Sequence, residues 1–248
     1  MRVTATIITK NEEENIKKCI ESLKWCNEVV VIDSMSTDQT VAIAESLGAK
    51  VFQHKFVRFG TQKRYATEKA SNDWILSVDA DEVVSPKLAE EIKNVLIFND
   101  KFYYQIRIQN FFLGKSLNFW FSKGQWHIRL FNRQFANFNE AKVHEKVTVN
   151  GEWGLLNNPL LHESYKSLSH YIEKLNFYTD LSSHEAPKHF VGAYILPFRF
   201  IYTFFNILLI KGAIRSSYRG VIWSLLSAFY TFIKHLKKYE KVLTTRLK

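Results

Sequence analysis

Proline is scarce in this chain, with four in 248 residues, and glycine is limited to nine. Without a low-complexity run or a long internal repeat, that scarcity argues against extended disorder and against a solenoid. The length suffices for a full core in one α/β domain. Cysteine is rarer still. Cys19 and Cys26 lie seven apart without metal-type spacing, which predicts reduced, buried thiols rather than a disulfide framework. Neither Gly-x-Gly-x-x-Gly nor a Walker lysine motif is present, so dinucleotide and P-loop readings have little support. The first eight residues are too few and too strand-like for a secretion signal, and nothing in them predicts export. Acid is what the tail lacks: residues 186–248 hold 11 Lys/Arg and one acid, Glu240, whereas residues 1–185 hold 23 of each sign. The whole net charge of +10 therefore belongs to the tail, which bears on partners rather than on chemistry.

The remainder of the chain is dense in alternating element signals. Val3–Ile8 predicts a strand, and Asn11 is placed to cap a helix that runs to about Trp25, with Glu14 at the capping-box position. Glu28–Asp33 carries an unbroken Val-Val-Val-Ile run, as in a parallel strand buried on both faces. Thr37 can cap the next helix and Gly48 end it. A short strand at Val51-Phe52, a helix from Gly60 to Ala70 and a strand at Trp74–Val78 follow. This β-α-β-α-β-α-β order predicts a doubly wound, mostly parallel sheet with right-handed crossovers.

Ligands of such sheets bind beyond the carboxyl ends of the strands, and three polar clusters fall at three of those ends. They are Thr9 to Asn11, Asp33, and the acids Asp79, Asp81 and Glu82. If the strand continues to Asp81, then Asp79 and Asp81 share a face and repel unless a cation or donors separate them. Hard oxygen donors favour Mg²⁺ or Mn²⁺ bridging to a substrate phosphate, although a bare Asp-x-Asp is more often a polar turn. Asp33 can accept hydrogen bonds from a base or ribose, or cap its own turn. Lys63 and Arg64, near a helix N-terminus, can reach a diphosphate.

The segments Ile7-Ile8-Thr9-Lys10-Asn11-Glu12-Glu13, Val30-Val31-Ile32-Asp33-Ser34-Met35-Ser36-Thr37-Asp38 and Val78-Asp79-Ala80-Asp81-Glu82 resemble the inverting family 2 glycosyltransferases of the GT-A fold. Within that family the chain is most similar to bacterial lipopolysaccharide-core enzymes that add glucose to heptose. Gly60 to Tyr65, His144-Glu145 and Leu161 to Tyr178 extend the likeness over nearly the whole chain. One departure is Ser34-Met35, where many relatives carry Asp-Gly, so the nucleotide contact falls on Asp33 alone. The resemblance implies that Thr9, Asn11 and Asp33 hold the nucleoside and that Lys63 and Arg64 face the diphosphate. Glu13, Gln62 and Asp79 join the donor-binding set. Asp79, Asp81 and His162 would hold the Mg²⁺ or Mn²⁺ ion, and an acid near Glu145 would act as base, with Glu140 second and His144 orienting it.

Three regions follow from this reading: a nucleotide-sugar half at 1–100, an acceptor and catalytic half at 101–185, and a basic helical tail at 186–248. Ser85-Pro86 opens a helix to about Phe98, and short strands are predicted at Tyr103–Ile108, Trp126–Phe131 and Lys146–Val149. Ser167 to His184 keeps helical spacing. In the tail, Tyr194–Ile210 and Val221–Ile233 are apolar but too short or too interrupted to span a bilayer. Their Lys/Arg rims fit interfacial attachment to an anionic inner leaflet, or a solvated face of helices packed on the domain. The expectation is a cytoplasmic enzyme peripheral to the bacterial inner membrane, moving glucose from UDP-glucose to a lipid-linked saccharide. The alternatives are a polyprenyl-linked or protein acceptor, a sugar-nucleotide sensor, or a basic nucleic-acid module, for which no RNA or DNA motif is found.

Overall fold

A computed structural model describes residues 1–98, 101–116, 126–138, 147–149, 151–165, 167–183 and 193–246. They group into two compact units, Met1–Gln109 with Gln125–His162, and Asn110–Gly124 with Glu163–Lys248.

In the first unit, β1 (Val3–Thr9), α1 (Ile16–Ser22), β2 (Glu28–Asp33), α2 (Thr40–Ser46), β3 (Lys50–Gln53), α3 (Phe59–Lys69) and β4 (Trp74–Asp79) alternate as their hydrophobic periods dictate. β3, β2, β1 and β4 lie side by side, all parallel. Their residues are buried nearly throughout in β1, β2 and β4, because helices cover both faces of a parallel sheet. Ile16, Cys19, Ile20 and Leu23 of the α1 region join Ile7, Val31, Leu76 and Val78 in one core cluster.

β5 (Glu82–Val84), α4 (Pro86–Phe98), β6 (Tyr103–Phe112), β7 (Lys115–Ser116), β8 (Trp126–Asn132), β9 (Ala136–Phe138), β10 (Val147–Val149) and β11 (Trp153–Tyr165) follow. The main sheet continues antiparallel from β4 through β8, and its order is β3-β2-β1-β4-β8-β6-β11-β5, so it is mixed. Four strand steps would separate β4 from β5 by about 19 Å in a flat sheet. Only Ala80 and Asp81 connect them, and a link that short reaches about 10 Å. The path therefore curls back on itself, which sets His162 of β11 opposite Glu82 of β5.

The first helix differs from expectation. Residues 11–14 do not join it; Asn11 takes a left-handed φ of 52°, and α1 begins only at Ile16, after an N-cap at Asn15. The reason is a competing set of bonds to the β2–α2 loop. The amides of Asn11, Glu12 and Glu13 donate to Ser36 Oγ, Thr40 Oγ1 and Asp38 Oδ2 at 2.8, 2.8 and 3.2 Å. In return, the amides of Thr37 and Gln39 donate to Asn11 Oδ1 and Glu13 Oε2. Thr37 thus does not cap α2; the Asp38 carboxylate takes the Thr40 amide instead. Gly48 ends α2 with φ +82° as expected.

The second unit holds the ends of β6 and β11, the hairpin to β7, and the helices α5 (Leu168–Ser183), α6 (Leu196–Phe205) and α7 (Ser217–Arg246). α6 continues into a π-helical turn over Asn206–Ile210. Val221–Ile233 is only the apolar part of α7, which runs on through the Lys-rich stretch for 30 residues in all.

Candidate active site

The parallel register puts Thr9 beside Asp33 and Ile8 beside Asp79, so three of the predicted site residues end adjacent strands on one edge. Thr9 is buried, and its hydroxyl has no hydrogen-bond partner in the structure. A buried hydroxyl left unpaired costs about 1–3 kcal/mol, which at a strand end makes Thr9 a candidate ligand contact.

Asp33 is fully buried, and its two oxygens accept from the amide and the hydroxyl of Ser36. It holds its own turn, and a nucleoside would have to use the remaining lone pairs. Gln62 corrects the expected donor-binding set. Its side chain is fully buried, its Nε2 donates to Ser34 Oγ at 2.8 Å and to the His54 carbonyl at 2.9 Å, and its Oε1 meets His54 Nδ1. Both amide hydrogens are spent, so Gln62 brackets the β2–α2 loop rather than contacting a substrate. Asn11 and Glu13 serve the loop-to-loop clip described above. Arg64 pairs with Glu68 at 3.6 Å along α3.

The acid pair also differs from expectation. β4 ends at Asp79 and the chain turns at Ala80-Asp81, so the two carboxylates part company. Asp79 Oδ1 meets Lys63 Nζ at 3.1 Å and Asp79 Oδ2 meets Arg129 Nη2 at 2.9 Å. Asp81 Oδ2 meets His162 Nε2 at 3.2 Å. Among the described residues no group of three His, Cys, Asp or Glu could hold a metal. Asp79 lies between two cations, so its charge is already matched without an ion shared with Asp81. The Asp81–His162 pair fits a divalent ion as a partial shell, of the kind completed by substrate phosphate oxygens and water.

Glu82 and Arg129 complete the cluster; the sequence reading grouped Glu82 with the strand-end acids but did not bring Arg129 to it. Glu82 Oε1 accepts from Arg129 Nη2 at 2.6 Å, and Glu82 Oε2 accepts the Asp79 amide at 2.8 Å. Both side chains are almost wholly buried, with 1% and 7% exposed, whereas Asp79 keeps 32%. The signal was available. Arg129 sits between Ile128 and Leu130-Phe131 in an apolar strand, and a charge in that setting demands a buried partner.

Electrostatics follow from these contacts. Burial pushes the Asp79 carboxyl upward, but Arg129 and Lys63 outweigh it and hold Asp79 well below the carboxylate range. Glu82 is pushed by burial to about 7, with Arg129 opposing and Asp79 adding to the rise. Burial lowers His162, yet the Asp81 carboxylate more than compensates and raises it. Glu145, Glu140 and His144 lie outside the described residues.

A mixed, mostly parallel sheet with an acid, lysine and histidine cluster beyond its strand ends is an α/β arrangement of the GT-A type. The family model for glycosyl transferase family 2 matches residues 4–155. The chain belongs to that family and is a glycosyltransferase. It is 33% identical to an uncharacterised glycosyltransferase of Rickettsia felis, covering 99% of this chain and 92% of that one. It is 28% identical to the lipopolysaccharide core biosynthesis glycosyltransferase LpsC of Rhizobium meliloti, covering 96% and 92%. Among solved structures, residues 1–349 of S. aureus TarS in complex with UDP-GlcNAc share the fold at a TM-score of 0.54 and 14% identity, covering 96% of this chain and 92% of that one.

Proposed function

We propose that the chain is a metal-dependent, inverting hexosyltransferase that moves glucose from UDP-glucose to a lipid-linked saccharide such as the lipopolysaccharide core. The observation that carries the reading is the Asp81–His162 pair at the strand ends, beside the Lys63–Asp79–Arg129 cluster and the unpartnered Thr9 hydroxyl. The likeness to LpsC supports the acceptor class, and the UDP-GlcNAc bound to TarS supports a uridine donor. Thr9, Asn11 and Asp33 surround the nucleoside, while Lys63 and Arg64 serve the diphosphate.

Asp81 and His162 would hold the Mg²⁺ or Mn²⁺ ion, which would supply charge compensation for the leaving diphosphate. Lys63, fixed by Asp79, adds a second positive charge at no reorganisation cost. Glu145 takes the proton of the acceptor hydroxyl as its oxygen attacks the anomeric carbon from the face opposite the departing UDP. The enzyme works at the cytoplasmic face of the bacterial inner membrane, where a lipid-linked acceptor resides.

Calorimetry of UDP with Mn²⁺, then with EDTA, on wild type and Asp81→Ala tests the reading. The expected result is metal-dependent binding that weakens by about tenfold or more in the variant. UDP binding that ignores both EDTA and the substitution would remove the metal from the mechanism, and GDP bound in preference to UDP would overturn the donor.

A further inference from the structure

Helix α6 is apolar apart from Arg199 and Thr203, a larger apolar share than a helix at the surface of a soluble protein carries. One side turns inward: Leu196 and Leu208 are buried, and the Phe200 ring meets Phe232 of α7 edge-on at 6.3 Å. The other side carries Phe198, Ile201, Tyr202, Phe205 and Leu209 at helical spacing, and all five are exposed, Phe198 by 71% and Tyr202 by 66%. α7 repeats the division. Gly220, Ser224 and Ala228 recur every four residues and are buried, while Tyr218, Val221, Leu225, Phe229 and Leu236 form an exposed stripe. The approach at Gly220 is close: a Cβ there would lie 1.7 Å from the Ala213 carbonyl oxygen.

Neither helix is by itself long and apolar enough to cross a membrane; together, bent at their junction, they have the length and composition of a broken span or a re-entrant loop. α6 with its π-helical turn spans 15 residues, about 22 Å against a hydrocarbon core of about 30 Å. No single described helix is long and apolar enough to cross, and α6 and α7 meet at a bend of 70°. Cations bracket the stripes, with Lys211, Arg215 and Arg219 around the bend and Lys234, Lys237, Lys238 and Lys241 beyond the apolar part of α7. Their field is visible at His235, which burial lowers and which Arg199, Lys234 and Lys238 lower further. A nucleic-acid duplex would meet the cations and leave the aromatic stripe in water, and a single strand stacked on the aromatic rings would still leave Ile201, Leu209, Val221 and Leu225 exposed. A second copy would set one basic tail against another. An anionic bilayer satisfies both, taking the stripe into its acyl boundary and the cations at its phosphates.

We propose that the outer faces of α6 and α7 form a re-entrant surface that inserts into the headgroup layer of an anionic membrane without spanning it. The inference deepens the membrane part of the proposed function and is independent of its sugar chemistry. Flotation of the full chain with phosphatidylcholine vesicles, with and without phosphatidylglycerol, tests it on wild type and on Phe198→Asp/Phe205→Asp. The expected result is binding to the phosphatidylglycerol vesicles that falls by about tenfold or more in the variant. Its far-UV circular dichroism and UDP affinity should stay at wild-type values. A milder variant, Tyr202→Ser/Leu209→Ser, should lose about threefold. Wild-type protein that floats with neither vesicle, or variants that float as well as wild type, would overturn the proposal. So would a dimer abolished by the same substitutions, or oligonucleotide binding tighter than vesicle binding. Vesicle binding in a protein that fails to bind UDP would support the surface and sink the donor assignment instead.

Discussion

The two units of this enzyme treat charge and apolar surface in opposite ways. At the strand ends of the first, Lys63, Asp79, Arg129 and Glu82 are locked together, three of them nearly without access to water. In the tail of the second, residues 186–248, all charges but Glu240 are positive, and large apolar side chains face outward from both tail helices. The contrast separates what each surface is built to meet. Fixed, paired charge is pre-organised for a small polyanion, since its dipoles need not move when the ligand's charge develops. Cations around an apolar stripe suit a broad, fluid, anionic partner.

The largest effect should come from breaking the locked cluster. Arg129→Met leaves Glu82 and Asp79 without their shared cation, and the loss of one partner of a buried pair costs about 3 kcal/mol or more. Urea unfolding should show this as a lowered midpoint, partly recovered by adding Glu82→Gln. An unchanged midpoint would mean that the cluster is not a structural lock. The corresponding break in the second unit is Gly220→Val, whose Cβ must displace the Ala213 backbone. A cost of at least about 2 kcal/mol is expected, with loss of helical signal on mild heating, while UDP affinity stays unchanged. If UDP binding falls as well, the two units are coupled more tightly than their separate contacts require.

A smaller effect sharpens the first half of the contrast at the opposite edge of the sheet. Glu28 is pushed up by burial, but Lys50, Ser71 and Thr4 bring it down to about 2 from 4.5. A depressed carboxyl stabilises the fold fully above pH 4.5 and loses that contribution as pH falls through about 2. Wild type should therefore lose about 2 kcal/mol across that window, allowing for solvent screening, and Glu28→Gln should show a flatter acid-unfolding profile. Parallel acid profiles for the two proteins would show that the Glu28 bonds add nothing to folding.

How far the sequence could be read depended on whether the deciding interactions were local. β1, β2 and β4 were visible as apolar runs, and α4 was visible from Ser85-Pro86; these elements are set by period, cap and proline geometry within a few residues. The start of α1 was not, because the amides of residues 11–13 find partners some 25 residues away in the β2–α2 loop. Local capping rules compete with such bonds and here lose to them. Gln62 joined the donor-binding set by resemblance, and only the fold spends both its amide hydrogens on Ser34 and His54.

The sequence by itself determined the alternation of strands and helices, the gathering of Thr9, Asp33 and Asp79 at strand ends, and the basic, apolar character of the tail. Each of these is written in hydrophobic period or composition, which need no distant partner. Tertiary structure alone decided that Asp79 and Asp81, two positions apart, would part. Curling of the sheet delivers His162 to one, while Arg129 and Lys63 arrive at the other. Carboxylates go where a cation meets them, and which cation arrives is a property of the closed sheet rather than of the acid motif.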